Sequence, residues 1–372
     1  MDATPTGIKS RLLKQLDQEI AAAPTPMRSA GLRAKRAMLL ARHGALAQAR
    51  ESLTALHQLA FQHPHPEIGA WLHMAEGLMS YYNGFGSQQA QDKIQRALAI
   101  ARSTEGLVEL RVLCCAWLAQ LAYVRHDPEA LLAHAADCLA QVQPEYHVAQ
   151  ARLAMAMGLA WHYAGDAETA QAWYARARRH ASADGDDATL SALMYNMAEM
   201  RAAQVRRQAL STAQVGGAEL LLGVDSVRHY DQAVGALVMG ELTPVLRAEI
   251  LTVQGQFEAA RELFEQHLPQ AMSLGLSRLG SSLLSDLAWC RANCGQREHA
   301  LQQAREAEIE LDPQCDLDDR AITHSRLAQT YALLGEVEEA QRHRQLAETE
   351  WAAFAEQQQH WRALLQASGL RP

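Results

Sequence analysis

Lysine is scarce in this 372-residue sequence: Lys9, Lys14, Lys35 and Lys93 are the full set. With arginine the cations number 34 against 42 acids, for a formal net charge of −8, and they are spread along the chain. That distribution excludes the electrostatic footprint of a nucleic-acid or anionic-membrane binder. Aromatic residues supply 6% of the chain against a hydrophobic content of 49%, which points to a helical core rich in alanine and leucine. The 11 prolines are too few for a disordered chain. Long apolar runs are missing as well. The longest, Leu153 to Trp161, is half a membrane span, and Met1 to Ile20 has no apolar signal-peptide segment. Cysteine is sparse, at positions 114, 115, 138, 290, 294 and 315. These thiols lie in helical context without a small-domain disulfide framework, so reduced side chains and a cytoplasmic address are expected. Cys290 and Cys294 are one helical turn apart, but no Cys or His at zinc-site spacing accompanies them.

What the sequence does have is a phrase repeated at a fixed interval. Gly255, Gly295 and Gly335 are each followed five residues on by alanine, at Ala260, Ala300 and Ala340, and each is preceded seven residues earlier by Ala248, Ala288 and Ala328. A period of this length, built from helix, glycine turn and helix, marks a helical-repeat array. Glycine lets the chain leave one helix and start the next within a few residues, so the two lie antiparallel. Alanine recurs where their axes cross at about 8 Å, leaving no room for longer side chains.

Met157, Gly158, Trp161, Gly165, Ala170, Tyr174 and Ala177, and again Leu327, Ala328, Tyr331, Gly335, Ala340 and Ala347, resemble the tetratricopeptide repeat family. The resemblance implies an all-α fold, a right-handed α-α superhelix of about eight helical hairpins. Three features depart from the family pattern: Arg344 replaces an aromatic residue, the closing proline is mostly missing, and the period is nearer forty than thirty-four. The stretches Tyr195–Ala198, Asp225–Asp231 and Leu242–Pro244 resemble tetratricopeptide sensory arms of bacterial signalling proteins, both those attached to diguanylate cyclases and those attached to transcription activators. That likeness implies a scaffold or sensor for a protein, a peptide or a small effector.

One solenoid over 1–372 is expected. A capping helix in 1–23, with Leu12, Leu13, Leu16 and Ile20 at helical spacing, ends at the break Ala23-Pro24-Thr25-Pro26. Repeats follow over 28–205, with turns at Gly44, near Phe85, at His126 and at Gly165. A fifth turn is expected at Val205. The step from there to Gly255 is ten residues too long, which predicts an irregular insertion at 206–243, either a binding feature on one face or a kinked helix without a role. Repeats resume over 244–336. The last helix, 337–367, is about twice the length of the others and carries Leu346, Trp351, Phe354, Trp361, Leu364 and Leu365. It is expected to cap the open end or to leave the body toward another module or a second copy, so a homodimer through this helix is a further candidate.

No catalytic constellation is present: the sequence has no HExxH, no GxSxG and no P-loop. Gly84 and Gly86 follow a helix rather than a strand, which argues against a phosphate cradle. His63 and His65 have no carboxylate or cysteine placed to complete a metal shell, so no metal and no cofactor are expected. The expected functional surface is the inner wall of the first helices. Registered by their turns, Met155, Leu159, His162, Tyr195, Glu199, Trp289, Asn293, Ser325 and Gln329 should face it, with Arg228 or His229 of the insertion reaching in beside Tyr195 and Glu199. Such a groove suits a peptide or small organic ligand. The chaperone-type carboxylate clamp of the family needs lysines that the central repeats lack. The alternative class is an unrecognised helical enzyme, a lyase or transferase, which would need an acid and a base converging in one cavity.

Overall fold

Each repeated glycine of the sequence sits where the backbone must turn left-handed. Gly44, Gly165, Gly255, Gly295 and Gly335 have φ between 74° and 81°, the conformation that closes a helix with a Schellman motif. The hydrogen bonds follow that motif. Asp166 N–H donates to Trp161 C=O at 2.9 Å and Gly165 N–H to His162 C=O at 2.9 Å, and the same pair recurs around Gly255, Gly295 and Gly335. His126 takes the same role at the third turn with φ 54°. There Asp127 N–H donates to Ala122 C=O at 2.9 Å, and the Asp127 side chain caps the next helix by accepting from Ala130 N–H.

The structure, a computed structural model of the chain, describes residues 7–83, 88–211, 218–235, 240, 242–273 and 279–372. The turn expected near Phe85 and the pair Gly216-Gly217 lie outside them. All regular structure among the described residues is helical, and nearly all of it is α-helix. A short α1 (Arg11–Ala21) precedes eight helix pairs: α2 (Pro26–Arg42) with α3 (Leu46–Gln62), α4 (Pro66–Asn83) with α5 (Gln88–Ser103), α6 (Val108–Val124) with α7 (Pro128–Leu139), α8 (His147–Tyr163) with α9 (Ala167–Asp184), α10 (Asp187–Ser211) with α11 (Ala218–Val234), α12 (Leu242–Val253) with α13 (Phe257–Ser273), α14 (Gly280–Asn293) with α15 (Arg297–Ile309), and α16 (Leu317–Leu333) with α17 (Val337–Ala367). No helix among the described residues is long and apolar enough to cross a membrane.

Small residues stand at the crossings. Ala248, Ala260, Ala288 and Ala300 are fully buried. A Cβ on Gly158 would lie 2.5 Å from the Tyr174 ring, so the α8–α9 contact admits only glycine there without rearrangement.

The chain divides into two compact units. The first comprises Met1–Leu193, Asp231–Val238 and His360–Pro372, and the second Met194–Tyr230 and Met239–Gln359. Two features differ from the expected pattern. With no glycine at position 205, α10 continues through Val205, Arg206 and Arg207 and reaches 25 residues. The segment expected to be irregular contains α11, a regular 17-residue helix. The ten surplus residues are therefore taken up partly by lengthening the fifth first-helix. The end of α17 is also engaged inside the chain. Trp361 and Leu365 are buried, and in the first unit Trp361 packs its ring edge-on against Tyr123 and Tyr163, with centroids 6.0 and 5.4 Å apart. Trp361 and Leu365, two of the apolar residues that a helix-to-helix dimer would have used, are thus covered within the chain.

Candidate functional site

In the second unit the first helices α10, α12, α14 and α16 carry polar and charged residues where packing alone would call for apolar ones. Asp286 on α14 is fully buried. It is held by two guanidinium groups: Arg206 Nη2 lies 2.7 Å from its Oδ2 and Arg326 Nε 2.6 Å from its Oδ1. Arg206 Nη2 also donates to Ser282 C=O at 2.9 Å, and Arg326 Nη1 donates to Gln329 Oε1 at 2.7 Å. The Arg326 guanidinium lies 5.6 Å from the Trp289 ring centroid, within cation–π range. A buried carboxylate shared by two arginines fixes the relative placement of α10, α14 and α16, because removing any member strands a charge in the interior.

Two further carboxylates near this cluster have no partner. Neither Glu199 on α10 nor Glu249 on α12 makes an ion pair or hydrogen bond among the described residues, and each keeps part of its surface in solvent. Burial by the surrounding protein pushes Glu199 up to about 8, with the Glu249 and Asp318 charges adding to it and Arg207 and Arg206 opposing. Glu249 is pushed up to about 7, again by burial first, with Arg206 opposing and Asp286 adding. Asp319 on α16 is raised well above the usual carboxylate range by burial and by Asp318 and Asp316. The Tyr195 phenol, one turn before Glu199, is raised by burial and by the two glutamates. Two largely buried carboxyl groups without a partner can accept a cation or a hydrogen-bond donor without losing an existing contact.

Beside this wall the second unit has a groove of about 770 Å³ between the extended end of α10 and the pair α16–α17. Ser325, Gln329, Arg207, Arg344 and Trp351 line it. Trp351 Nε1 donates to Ser325 Oγ at 2.9 Å, and Arg207 pairs with Asp318 at 3.4 Å. Among the described residues Arg344 has no carboxylate partner; its Nη1 donates to Gln341 Oε1 at 2.6 Å.

The residues expected on the inner wall separate into groups. Tyr195 and Glu199 adjoin Glu249, while Trp289 and Gln329 meet through Arg326, and Ser325 and Gln329 line the groove. Asn293 is exposed and donates to the Trp289 C=O of its own helix at 2.8 Å. Arg228 and His229 on α11 are exposed, because Val224 and Val227 turn the opposite face of that helix onto Ala198 and Ala202 of α10. Arg228 pairs with Asp225 of its own helix at 3.2 Å. Met155, Leu159 and His162 belong to the first unit. There Met155 and Leu159 are buried and His162 lies 6.3 Å from the Tyr174 ring, so the first two are core residues. His63 and His65 are exposed, and among the described residues no three His, Cys, Asp or Glu side chains are placed to share a metal ion.

Glu249, Asp286, Arg206 and Arg326 escaped the sequence reading. Glu249 had a usable signal: it stands six residues before Gly255, as Trp289 does before Gly295 and Gln329 before Gly335. Asp286 and Arg326 share a register of their own, nine residues before their glycines. Arg206 was hidden by the turn expected at Val205.

No protein-family model matches the sequence, and no curated protein matches it by sequence. Among solved structures the chain is similar to a Rap protein in its crystal structure complexed with competence and sporulation factor, with a TM-score of 0.52, 12% identity, and coverage of 93% of this chain and 92% of that one. At that identity the likeness is one of fold: the chain has the all-α, tetratricopeptide-like architecture of helical hairpins found in that Rap protein.

Proposed function

We propose that the chain is a non-enzymatic scaffold or sensor of bacterial signalling or regulation that holds a short peptide or protein segment on the inner wall of its second unit. One observation carries the reading: among the described residues Glu199 and Glu249 lie unpaired beside the buried Arg206–Asp286–Arg326 cluster, on helix faces that simple packing would fill with apolar residues. Preorganised polar groups at a concave surface fix the register of an extended ligand, while the neighbouring Trp289 and Trp351 offer apolar area. The Rap protein of similar fold is complexed with a factor, which supports the same class of role. The free cysteines fit a cytoplasmic address.

The test is a screen of a synthetic library of short peptides against the full chain by fluorescence anisotropy. Binders in the micromolar range are expected, weakened at least tenfold in Trp289→Ala and in Glu199→Gln. Absence of any binder, or binders indifferent to both substitutions, overturns the reading.

A lyase or transferase is the second reading, and it draws on the same two carboxyl groups. Side chains raised to about 8 and about 7 are matched to proton transfer near neutral pH. The two readings separate on Glu199→Gln: a binder loses affinity in proportion to one contact, whereas an enzyme loses turnover of a bound substrate with its affinity largely kept.

A further inference from the structure

The first unit contains a cavity of about 160 Å³ between α1, α2, α6 and the start of α8. Leu16, Leu39 and Leu113 form apolar walls, and Lys35, Arg42 and Asp184 bring charge to it. Both cations are paired with a carboxylate, although Arg42 Nε, also buried, has no hydrogen-bond partner of its own among the described residues. Lys35 Nζ lies 2.6 Å from Glu109 Oε1, and Arg42 Nη2 lies 2.7 Å from Asp186 Oδ2 in a pair buried on both sides. Asp184, the last residue of α9, is not committed. Its Oδ2 is buried and, among the described residues, has no hydrogen-bond partner and no ion pair. A buried acceptor without a donor is rare in folded proteins and marks a place where a further group belongs. Glu145, exposed at the rim, adds a second unpaired negative charge.

We propose that this cavity is a binding site for a small organic cation, a primary amine with an apolar body of about ring size. Size sets the body: an apolar cavity of about 150 Å³ holds benzene. Charge sets the head, since Lys35 and Arg42 are each paired with another carboxylate and Asp184 Oδ2 is the buried acceptor left without a donor. An ammonium donates to Asp184 Oδ2 while its hydrocarbon part displaces solvent from the leucine walls. Burial and the Asp186 charge raise the Asp184 carboxyl above its ordinary range, and an ammonium at hydrogen-bond distance reverses that shift by stabilising the charged form.

The experiment is calorimetric titration of the full chain at pH 7.5 with benzylamine and, separately, with the neutral isostere benzyl alcohol. One saturable site is expected for benzylamine, with the alcohol bound at least tenfold more weakly. In Asp184→Asn the preference for the amine should vanish, while the far-ultraviolet circular dichroism and the melting temperature without ligand remain those of the parent. Trp289→Ala, in the other unit, should leave benzylamine binding unchanged, so this result and that for peptide binding are read independently. Equal affinities for amine and alcohol, an undiminished amine preference in Asp184→Asn, or no saturable binding at millimolar benzylamine overturns the proposal. Should Asp184→Asn fail to fold, the amine–alcohol comparison on the parent still decides.

Discussion

His324 on α16 and His343 on α17 face each other Nδ1 to Nδ1 at 3.0 Å, inside the second unit. His343 Nε2 also lies 3.0 Å from Arg342 Nη2, which can only donate, and 3.6 Å from Glu308 Oε2, too long for a hydrogen bond. His343 therefore carries its proton on Nδ1 and donates to the bare Nδ1 of His324. A second proton between the two rings would set two donors against each other.

Acid sensitivity follows from this pair. Burial, then the His343 and Arg342 charges, pull His324 down to about 4, and burial lowers His343 as well. A base lowered by folding contributes stability that is whole above its unfolded value near 6.5 and lost as pH falls toward the folded one. The melting temperature should drop between pH 6.5 and 4, and drop less in His324→Asn, whose amide oxygen keeps an acceptor near the Nδ1 position. Superimposable pH profiles for parent and variant would rule out the pair as the cause.

Glu199 and Glu249 act in the opposite window. An acid raised by folding contributes stability that is whole below its unfolded value near 4.5 and lost as pH rises through the folded value, here about 8 and about 7. Above the histidine window, the melting temperature should fall between pH 6.5 and 9. In the double variant Glu199→Gln, Glu249→Gln it should fall less, by ~2–4 °C for each 1 kcal/mol recovered. A parent whose melting point is flat over this range contradicts the desolvation of the two carboxyl groups.

The turn glycines and crossing alanines were legible in the sequence because both answer to local geometry: a positive φ and an 8 Å axis separation leave few residue choices. Eight hairpins could be counted from them. The length of α10 was not legible, because nothing between Val205 and Ser211 forbids a helix and the missing glycine leaves no mark of where the turn has gone. Partnerships across many residues were equally hidden. Asp286 with Arg326 spans 40 positions and Arg42 with Asp186 spans 144, and no spacing rule links such residues before the helices are placed. Register named Glu199, Trp289 and Gln329, each of which lies beside the Arg206–Asp286–Arg326 cluster. It also admitted Asn293, which a helix of that pitch turns out into solvent.

Two glycines of the repeat should respond to substitution in opposite ways. At Gly158 the limit is space, a Cβ falling 2.5 Å from the Tyr174 ring. At Gly335 the limit is backbone, with φ 80° and nothing within 4 Å of the added atom. Gly158→Ala should cost about 1–3 kcal/mol by overpacking and Gly158→Asn more. Gly335→Ala should cost about 1–2 kcal/mol through the left-handed strain, and Gly335→Asn less, since asparagine tolerates that conformation. Thermal melts that rank asparagine and alanine the same way at both sites would refute the distinction.

The last turns of α17 should be worth as much to the first unit as a core residue. Trp361 is fully buried and packs against Tyr123, Tyr163 and His126, while Arg362 donates twice to the Ala164 C=O, at 2.9 and 2.6 Å. That carbonyl is the capping residue of α8, where a cation also meets the negative end of the helix dipole. Trp361→Ala should cost about 3–5 kcal/mol, and Arg362→Ala about 1.5–3 kcal/mol, the range of a charged hydrogen bond. Amide hydrogen exchange localises the effect: in Trp361→Ala, protection should fall at the α6–α7 and α8–α9 turns while α14 and α15 keep theirs. If α17 were instead a free connector, Trp361→Ala would leave exchange at residues 122–127 and 161–166 unchanged.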